Sequence, residues 1–186
     1  MSDKQHHPIK KIVIIGPEST GKSTLCEQLA AHYQTKWCPE YAREYLLQHG
    51  TDYSYEDLLT IAKGQLQLED DYTAKTESKH QFLFIDTDMY VMKVWCEVVF
   101  GKCHPFVLQQ IINRKYDLYL LCNTDLPWVK DELREYPDLV FRQKLFKIYK
   151  DLLVNQSVPW QIISGKSEER LQNAIRAVEE FYPVKN

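Results

Sequence analysis

Residues 16–23 read GPESTGKS and satisfy the pattern G-x-x-x-x-G-K-[ST], which is typical of loops that bind nucleotide phosphates. Residues 11–15 (KIVII) precede the motif as a predicted buried strand, and residues 22–33 follow it as a predicted helix. Such a loop surrounds phosphate oxygens with backbone amides, so glycines are needed where a side chain would block the approach. We therefore predict a phosphate site formed by Gly16, Pro17, Glu18, Ser19, Thr20, Gly21, Lys22, Ser23 and Thr24.

Two side chains of this loop have predicted chemical roles. Lys22 supplies a positive charge to the β- and γ-phosphates, and the Ser23 hydroxyl coordinates magnesium. The dipole of the following helix favours the same negative charge. ATP and Mg²⁺ are therefore the predicted cofactors, and the alternative is an accidental glycine-rich turn before a helix.

The remaining chain alternates short apolar strands with helices. Further strands are predicted at residues 36–38, 81–85, 117–122 and 159–164, and further helices at 40–48, 55–78, 89–100, 105–114 and 167–181. Ser54 or Asp52 is the predicted cap of the long helix at 55–78. Because parallel strands need helical crossovers, we predict a three-layer α/β P-loop fold with a five-stranded parallel sheet. Residues 9–186 are predicted to form one domain, preceded by a disordered segment at 1–8.

Composition narrows the possible partners. The 186-residue chain is 44% apolar and 26% charged, with a formal net charge of −3, which gives no general attraction for nucleic acid or anionic membranes. It has no apolar run of the ~20 residues that a membrane span needs, and we expect a cytoplasmic protein. Its five cysteines contain no CxxC pair, so neither a disulfide framework nor a structural zinc site is indicated. The pattern gives no information on the oligomeric state.

An acid near the metal is expected at the end of a neighbouring strand. Asp86 directly follows the apolar run at residues 82–85, so its carboxylate should emerge at the sheet edge where ligands of α/β proteins bind. We predict that Asp86 serves the metal and catalysis, and that Asp88 contacts the substrate. The alternative is that residues 86–88 only cap the next helix.

The end of the second predicted strand concentrates an acid, an aromatic ring and a guanidinium group. Glu40 is the predicted general base, with Asp88 as second choice, Tyr41 is predicted to stack on a substrate ring, and Arg43 to bind the transferred phosphoryl group. Alternatively, these residues lie on an exposed helix and form surface ion pairs.

The segment after the fourth predicted strand supplies a candidate lid. Arg134 is the predicted catalytic arginine that neutralises charge during transfer, and Trp128 and Tyr90 are predicted to contact the substrate ring. Trp95, within an apolar helix, is a further candidate for stacking on the substrate ring, but core packing is the favoured prediction for it. Asn123-Thr124-Asp125 lacks the lysine and spacing of the NKxD element, which weakens a regulatory GTPase interpretation.

Four motifs in this order resemble the nicotinamide riboside kinase domain of the bacterial NadR family, over nearly the whole chain. They are GPESTGKSTL (16–25), PEYARE (39–44), FIDTDMYVMKVW (84–95) and NTDLPWVKDELR (123–134). The resemblance implies ATP-dependent phosphorylation of the 5'-hydroxyl of nicotinamide riboside, giving nicotinamide mononucleotide for NAD salvage. It also implies a small-molecule partner and a stand-alone kinase, without the DNA-binding and nucleotidyltransferase domains that many members carry.

Two other functions fit the same residues. The first is a kinase for another nucleoside, because the ring contacts cannot be assigned from the sequence. The second is a non-kinase ATPase or switch protein, because a P-loop fold does not determine function.

Overall fold

The computed structural model describes residues 9–77, 81–133 and 136–183. The predicted disorder of residues 1–8 and the predicted lid residue Arg134 lie outside these ranges. The described residues form five strands: β1 (Lys10–Ile15), β2 (Lys36–Cys38), β3 (Phe82–Asp86), β4 (Leu118–Cys122) and β5 (Trp160–Ile163). They also form seven helices: α1 (Lys22–His32), α2 (Tyr41–His49), α3 (Tyr55–Lys75), α4 (Met89–Phe100), α5 (Pro105–Asn113), α6 (Leu139–Val154) and α7 (Ser167–Phe181).

The five strands form one parallel sheet in the order β2-β3-β1-β4-β5. In this sheet Ile14 of the central strand β1 lies beside Asp86 of β3 on one side and Leu120 of β4 on the other. Because the strands are parallel, their carboxyl ends share one edge. The phosphate loop therefore leaves the centre of that edge, with Asp86 beside it.

The two faces of the sheet bury alternate residues of each strand, as strand geometry requires. Ile12 and Ile14 pack on the face covered by α1 and α7, whereas Val13 and Ile15 pack on the face covered by α4 and α6. A third cluster joins α2, α3, α4 and α5 beyond the sheet edge. Helices on both faces explain why β3 and β4 are buried at every position rather than at alternate ones.

The predicted three-layer α/β fold with five parallel strands is confirmed. Helices α4 and α7 match their predicted bounds, and Ser54 caps α3 in a capping box with Asp57. No bounds were predicted for α6, which supplies Leu145 and Tyr149 to the cavity beside the phosphate loop. None of the described helices combines the length and apolar character that crossing a bilayer requires. The division into a single domain at 9–186 stays a prediction.

Candidate active site

The phosphate loop adopts a conformation that only its glycines allow. Gly16 and Gly21 have φ angles of 144° and 77°, and a Cβ atom on Gly16 would lie 2.8 Å from the carbonyl oxygen of Cys122. The buried Thr20 hydroxyl donates to the Pro17 carbonyl oxygen at 2.8 Å, and Lys22 Nζ donates to the same oxygen at 3.2 Å. The loop is therefore closed on itself, with its lysine folded across it.

One cavity contains all nine residues predicted to bind phosphate, together with Glu40 and Arg43. Its other lining residues include apolar and aromatic side chains from α4 and α6. The phosphate loop and the predicted base thus face the same space, although they are at least 16 positions apart in the sequence.

Ser23, which lines this cavity, is hydrogen-bonded to Asp86. The Ser23 hydroxyl donates to Asp86 Oδ2 at 2.5 Å, and Asp86 is fully buried. Burial, followed by the nearby charge of Glu40, raises the pKa of Asp86 to about 6, while Lys22 and two hydroxyl hydrogen bonds oppose the rise. A hydroxyl and a carboxylate beside a phosphate loop are the oxygen donors that Mg²⁺ prefers.

The described residues contain no group of three or more His, Cys, Asp or Glu side chains that could hold a metal ion. This fits Mg²⁺, which is usually bound by one or two protein oxygens together with nucleotide phosphates and water. Ser23 and Asp86 therefore fit the ion as partial ligands, with the nucleotide supplying others.

Thr87 connects the two carboxylates of the site. Its hydroxyl oxygen lies 3.4 Å from Glu40 Oε1 and 3.4 Å from Asp86 Oδ1, and its backbone N–H donates to the Ile14 carbonyl at 3.2 Å. Thr87 has a φ of 77°, which is rare and strained for a β-branched residue. Strained residues cluster at functional sites, where the surrounding structure holds them in place.

Glu40 is the N-cap residue of α2, but its side chain makes no capping hydrogen bond. The carboxylate lines the cavity instead. Arg43, one turn into the same helix, forms a two-pronged ion pair with Asp131, with both N–O distances at 3.2 Å. Arg43 therefore joins α2 to the segment that follows β4, at the edge of the cavity.

Four residues predicted to contact substrate do not line the cavity: Tyr41, Asp88, Tyr90 and Trp128. Tyr41 turns towards α3, where its ring lies over Gly64 and its backbone N–H donates to Gln65 Oε1 at 2.7 Å. Tyr90 packs against Tyr119, with ring centroids 5.7 Å apart.

Asp88 caps helix α4, as the alternative interpretation of this segment proposed. Its carboxylate accepts hydrogen bonds from the backbone N–H of Tyr90 at 2.9 Å and from the Tyr119 hydroxyl at 2.8 Å. Burial is the main cause that raises the pKa of Asp88 to about 7. Because its oxygens are buried and already bonded, we replace the predicted substrate contact, and its second-choice role as base, with a capping role.

Trp128 contacts the phosphate loop and does not line the cavity. Its indole Nε1 donates to Glu18 Oε1 at 3.0 Å, and the backbone N–H of Val129 donates to Ser19 Oγ at 3.0 Å. Glu18 also accepts from the backbone N–H of Tyr136 at 2.6 Å. The segment after β4 therefore rests on the loop, and Trp128 contacts the nucleotide side of the site rather than the aromatic end of the cavity.

The aromatic end of the cavity is formed by Trp95 and Tyr53. Trp95 Nε1 donates to the Tyr53 hydroxyl at 2.8 Å, and the rings meet edge to face at a centroid distance of 5.0 Å. Aliphatic side chains complete this end: Leu46, Val91, Val94, Val98 and Leu145. The cavity thus runs from a cationic, amide-rich end past Glu40 to an apolar end with flat rings.

Comparison with known proteins identifies the family. The family model described as AAA domain matches residues 11–170, which is most of the chain. The chain belongs to this AAA domain family. It is also homologous to NadR: the trifunctional NAD biosynthesis/regulator protein NadR of Escherichia coli (strain K12) is 32% identical over 175 residues. That alignment covers 92% of this chain and 42% of the relative, so the chain spans less than half the length of the curated relative.

Solved structures agree on the fold of this AAA domain. A crystal structure of NadR protein in complex with NR has a TM-score of 0.80 and 23% identity, and covers 97% of this chain and 52% of that chain. Thymidylate kinase from Ehrlichia chaffeensis has a TM-score of 0.64 and 12% identity, and covers 94% of this chain and 99% of that chain. The predicted P-loop kinase fold and the predicted resemblance to NadR are both confirmed.

The sequence predicted the aromatic end of the cavity only in part in this family member. Trp95 was a candidate for stacking on the substrate ring but core packing was favoured, and Tyr53, Tyr136 and Tyr149, which also line the cavity, were not singled out. Val91, Val94, Trp95 and Val98 follow the helical spacing of an apolar stripe, which looks the same whether it faces a core or a cavity. The indole Nε1 of Trp95 was the available signal, because a buried indole needs a hydrogen-bond acceptor.

Proposed function

We propose that this protein is an ATP-dependent kinase that transfers a phosphoryl group to the 5'-hydroxyl of nicotinamide riboside, giving nicotinamide mononucleotide for NAD biosynthesis. The observation that carries this proposal is the single cavity that joins the phosphate loop, Glu40 and the Trp95–Tyr53 pair. The homology to NadR and the likeness to NadR protein in complex with NR support the choice of substrate.

The ATP phosphates lie along the phosphate loop in this proposal. Backbone amides at the start of α1 and the Lys22 ammonium group bind the β- and γ-phosphates. A magnesium ion held by Ser23, Asp86 and the phosphates would neutralise charge on the nucleotide. The proposed role of Ser23 and Asp86 is to fix the position of that ion at the base of the cavity.

Glu40 is the proposed general base. Its carboxylate faces the cavity without a capping bond, so it is available to accept the proton of an attacking hydroxyl. The Thr87 hydroxyl lies between Glu40 and Asp86 and can donate a hydrogen bond to either carboxylate. Arg43 at the cavity edge and Arg134 in the segment after β4 are the proposed cations that neutralise the transferred group.

The Trp95–Tyr53 pair is the proposed contact for the substrate base. The nicotinamide ring of the riboside carries a positive charge, which the faces of aromatic rings attract. The surrounding valines exclude water from the ring. A small molecule with a flat cationic ring and a free hydroxyl therefore matches both ends of the cavity.

The proposed setting is the cytoplasm. All five cysteines are free thiols, and four of them are buried, which suits a reducing compartment that also supplies ATP. The proposed partner is the nucleoside itself, and the proposal requires no nucleic acid.

The first experiment measures ATP-dependent phosphorylation of nicotinamide riboside beside a panel of other nucleosides. Wild-type protein is compared with Lys22→Ala and Glu40→Gln. We expect selective formation of the mononucleotide, loss in Lys22→Ala, and about 100- to 1000-fold lower kcat in Glu40→Gln. Glu44→Gln is the matched control, because Glu44 lies one turn further along α2 and is exposed.

The outcomes separate the rival functions. Preference for a different nucleoside would replace the substrate and keep the kinase. Tight ATP binding without transfer to any nucleoside would instead favour a non-kinase ATPase or switch protein.

A further inference from the structure

Arg170 on helix α7 joins the phosphate loop to two other loops at the sheet edge. Its Nη2 donates to the carbonyl oxygens of Thr20 and Asn123, each at 2.9 Å. Its Nη1 donates to Asp125 Oδ1 and to the carbonyl oxygen of Gly165, each at 2.9 Å. Arg170 is 4% exposed, so these four bonds form in a largely water-free environment, where hydrogen bonds to a charged group are strong.

Asp125 completes the arrangement from the opposite side. Its Oδ2 accepts a hydrogen bond from the backbone N–H of Gly165 at 2.7 Å, while its Oδ1 binds Arg170. The loop after β4 and the turn before α7 are thus fixed to each other. Arg170 connects these two segments to the phosphate loop through its hydrogen bond to the carbonyl oxygen of Thr20.

The Thr20 carbonyl determines the direction of a neighbouring amide. A trans peptide is planar, and its C=O and N–H groups point in opposite directions. The described residues contain no cis peptide bond, so the Gly21 N–H points away from Arg170 when the Thr20 carbonyl points towards it. Gly21 is the N-cap residue of α1, where backbone N–H groups have no partner within the helix and face an incoming anion.

We infer that Arg170 is a positioning residue for phosphate binding, which holds the Thr20–Gly21 peptide so that the Gly21 N–H points into the phosphate loop. This inference rests on the proposed ATP binding at that loop. Glycine at position 21, with its φ of 77°, allows several peptide orientations, and the arginine selects one of them. Arg170 acts through the backbone and does not touch the nucleotide.

The test measures binding of ATP and of inorganic tripolyphosphate by titration calorimetry. Tripolyphosphate carries neither base nor ribose, so a loss of its affinity locates the effect at the phosphate loop. We expect Arg170→Met to weaken both ligands about 10- to 100-fold, the range expected for a lost bond to a charged donor. Nicotinamide riboside affinity should stay unchanged, and in turnover KM for ATP should rise while KM for the nucleoside does not.

Two further variants control for general damage to the fold. Arg176→Met removes the same charge from an exposed position on the same helix and should bind tripolyphosphate like wild type. Arg170→Ala leaves space for a guanidinium ion, so millimolar ethylguanidinium should restore part of the phosphate affinity. Rescue supports positioning by the guanidinium group, and its failure in a folded variant contradicts it.

The same measurements distinguish a failure of the proposed function from a failure of the inference about Arg170. If Lys22→Ala also leaves tripolyphosphate binding unchanged, the phosphate loop is not the binding site and both proposals are wrong. If Lys22→Ala loses affinity while Arg170→Met does not, only the inference about Arg170 is overturned. Equal loss of nucleoside and phosphate binding in Arg170→Met would also overturn it, because a structural defect would affect both ligands.

Discussion

The hydroxyl of Ser23 and the carboxylate of Asp86 lie 2.5 Å apart, although 63 residues separate them in the chain. One belongs to the first turn of α1 and the other ends β3, the strand beside β1 in the sheet. The sheet brings them together because the carboxyl ends of β1 and β3 share an edge. Their contact marks the point where the phosphate loop meets the proposed metal site.

We expect Asp86→Asn to lower kcat at saturating Mg²⁺ by about 100-fold or more, since a metal that stabilises transferred charge contributes several kcal/mol. The same variant should unfold at a higher temperature than wild type at pH 8 without Mg²⁺. Burial raises the pKa of Asp86 to about 6, so the ionised carboxylate destabilises the metal-free fold above that pH. Steady-state assays and thermal unfolding measure the two effects.

Ser23→Ala is the matched variant for this prediction. It should reduce activity and raise the Mg²⁺ requirement, but it should not stabilise the metal-free protein, because the carboxylate remains and loses a hydrogen bond. An Asp86→Asn protein that is both active and less stable than wild type would contradict the assigned role.

Replacing each of the two tryptophans near the site should raise KM for a different substrate. Trp95→Leu should raise KM for the nucleoside about 10-fold, the loss expected for a ring contact of about 1.5 kcal/mol, and leave KM for ATP unchanged. Trp128→Leu removes the hydrogen bond to Glu18 and should raise KM for ATP alone. The same effect of both variants on both substrates would show that the two ends of the cavity are not distinct.

The sequence predicted those parts of the site that depend on sheet topology. The phosphate loop is continuous in sequence, and Glu40 and Asp86 follow predicted parallel strands, whose carboxyl ends must meet at one edge. No knowledge of side-chain packing was needed for these residues. This explains why the fold and the catalytic end of the cavity were predictable.

Some residues lie elsewhere than the sequence predicted. Placing them correctly would have required knowing the directions of their side chains. Tyr41 and Asp88 lie beside site residues in sequence, but Tyr41 turns towards Gly64 and Asp88 turns back to cap α4. The helical spacing of apolar residues in α4 likewise did not distinguish a stripe facing a core from one facing a cavity. For this reason core packing was favoured for Trp95. These differences depend on packing between helices that are distant in sequence.

Asp88 should make the stability of the protein depend on pH. Its pKa rises from an ordinary 3.8 to about 7 in the fold, so the native state binds the proton more tightly than the unfolded chain. The contribution of this group is fully present below about pH 4 and is lost as pH rises through 7. We expect the free energy of unfolding of wild type, relative to Asp88→Asn, to fall by on the order of 4 kcal/mol between pH 4 and pH 8.

Asparagine suits this comparison because its side-chain oxygen can still cap α4 and its amide does not titrate. Urea unfolding across the pH range gives the difference directly. Asp138→Asn is a control, since Asp138 caps α6 in the same manner but is exposed. A difference between wild type and Asp88→Asn that does not change with pH would mean that Asp88 is ionised throughout.

Gly64 and Tyr41 should be energetically coupled. The effect of Gly64→Ala on the free energy of unfolding should change sign when the Tyr41 ring is removed. Gly64 lies within α3, where alanine is usually about 1 kcal/mol more favourable than glycine. A Cβ at position 64 would, however, lie 2.1 Å from Tyr41 Cε1, so the ring must move. We expect Gly64→Ala to destabilise wild type by about 1–3 kcal/mol, the usual cost of overpacking, and to stabilise a Tyr41→Ala variant by about 1 kcal/mol. Urea unfolding of the four proteins gives the coupling energy. If Gly64→Ala has the same effect with and without Tyr41, the ring does not rest on α3, and Tyr41 becomes available again as a contact for the substrate.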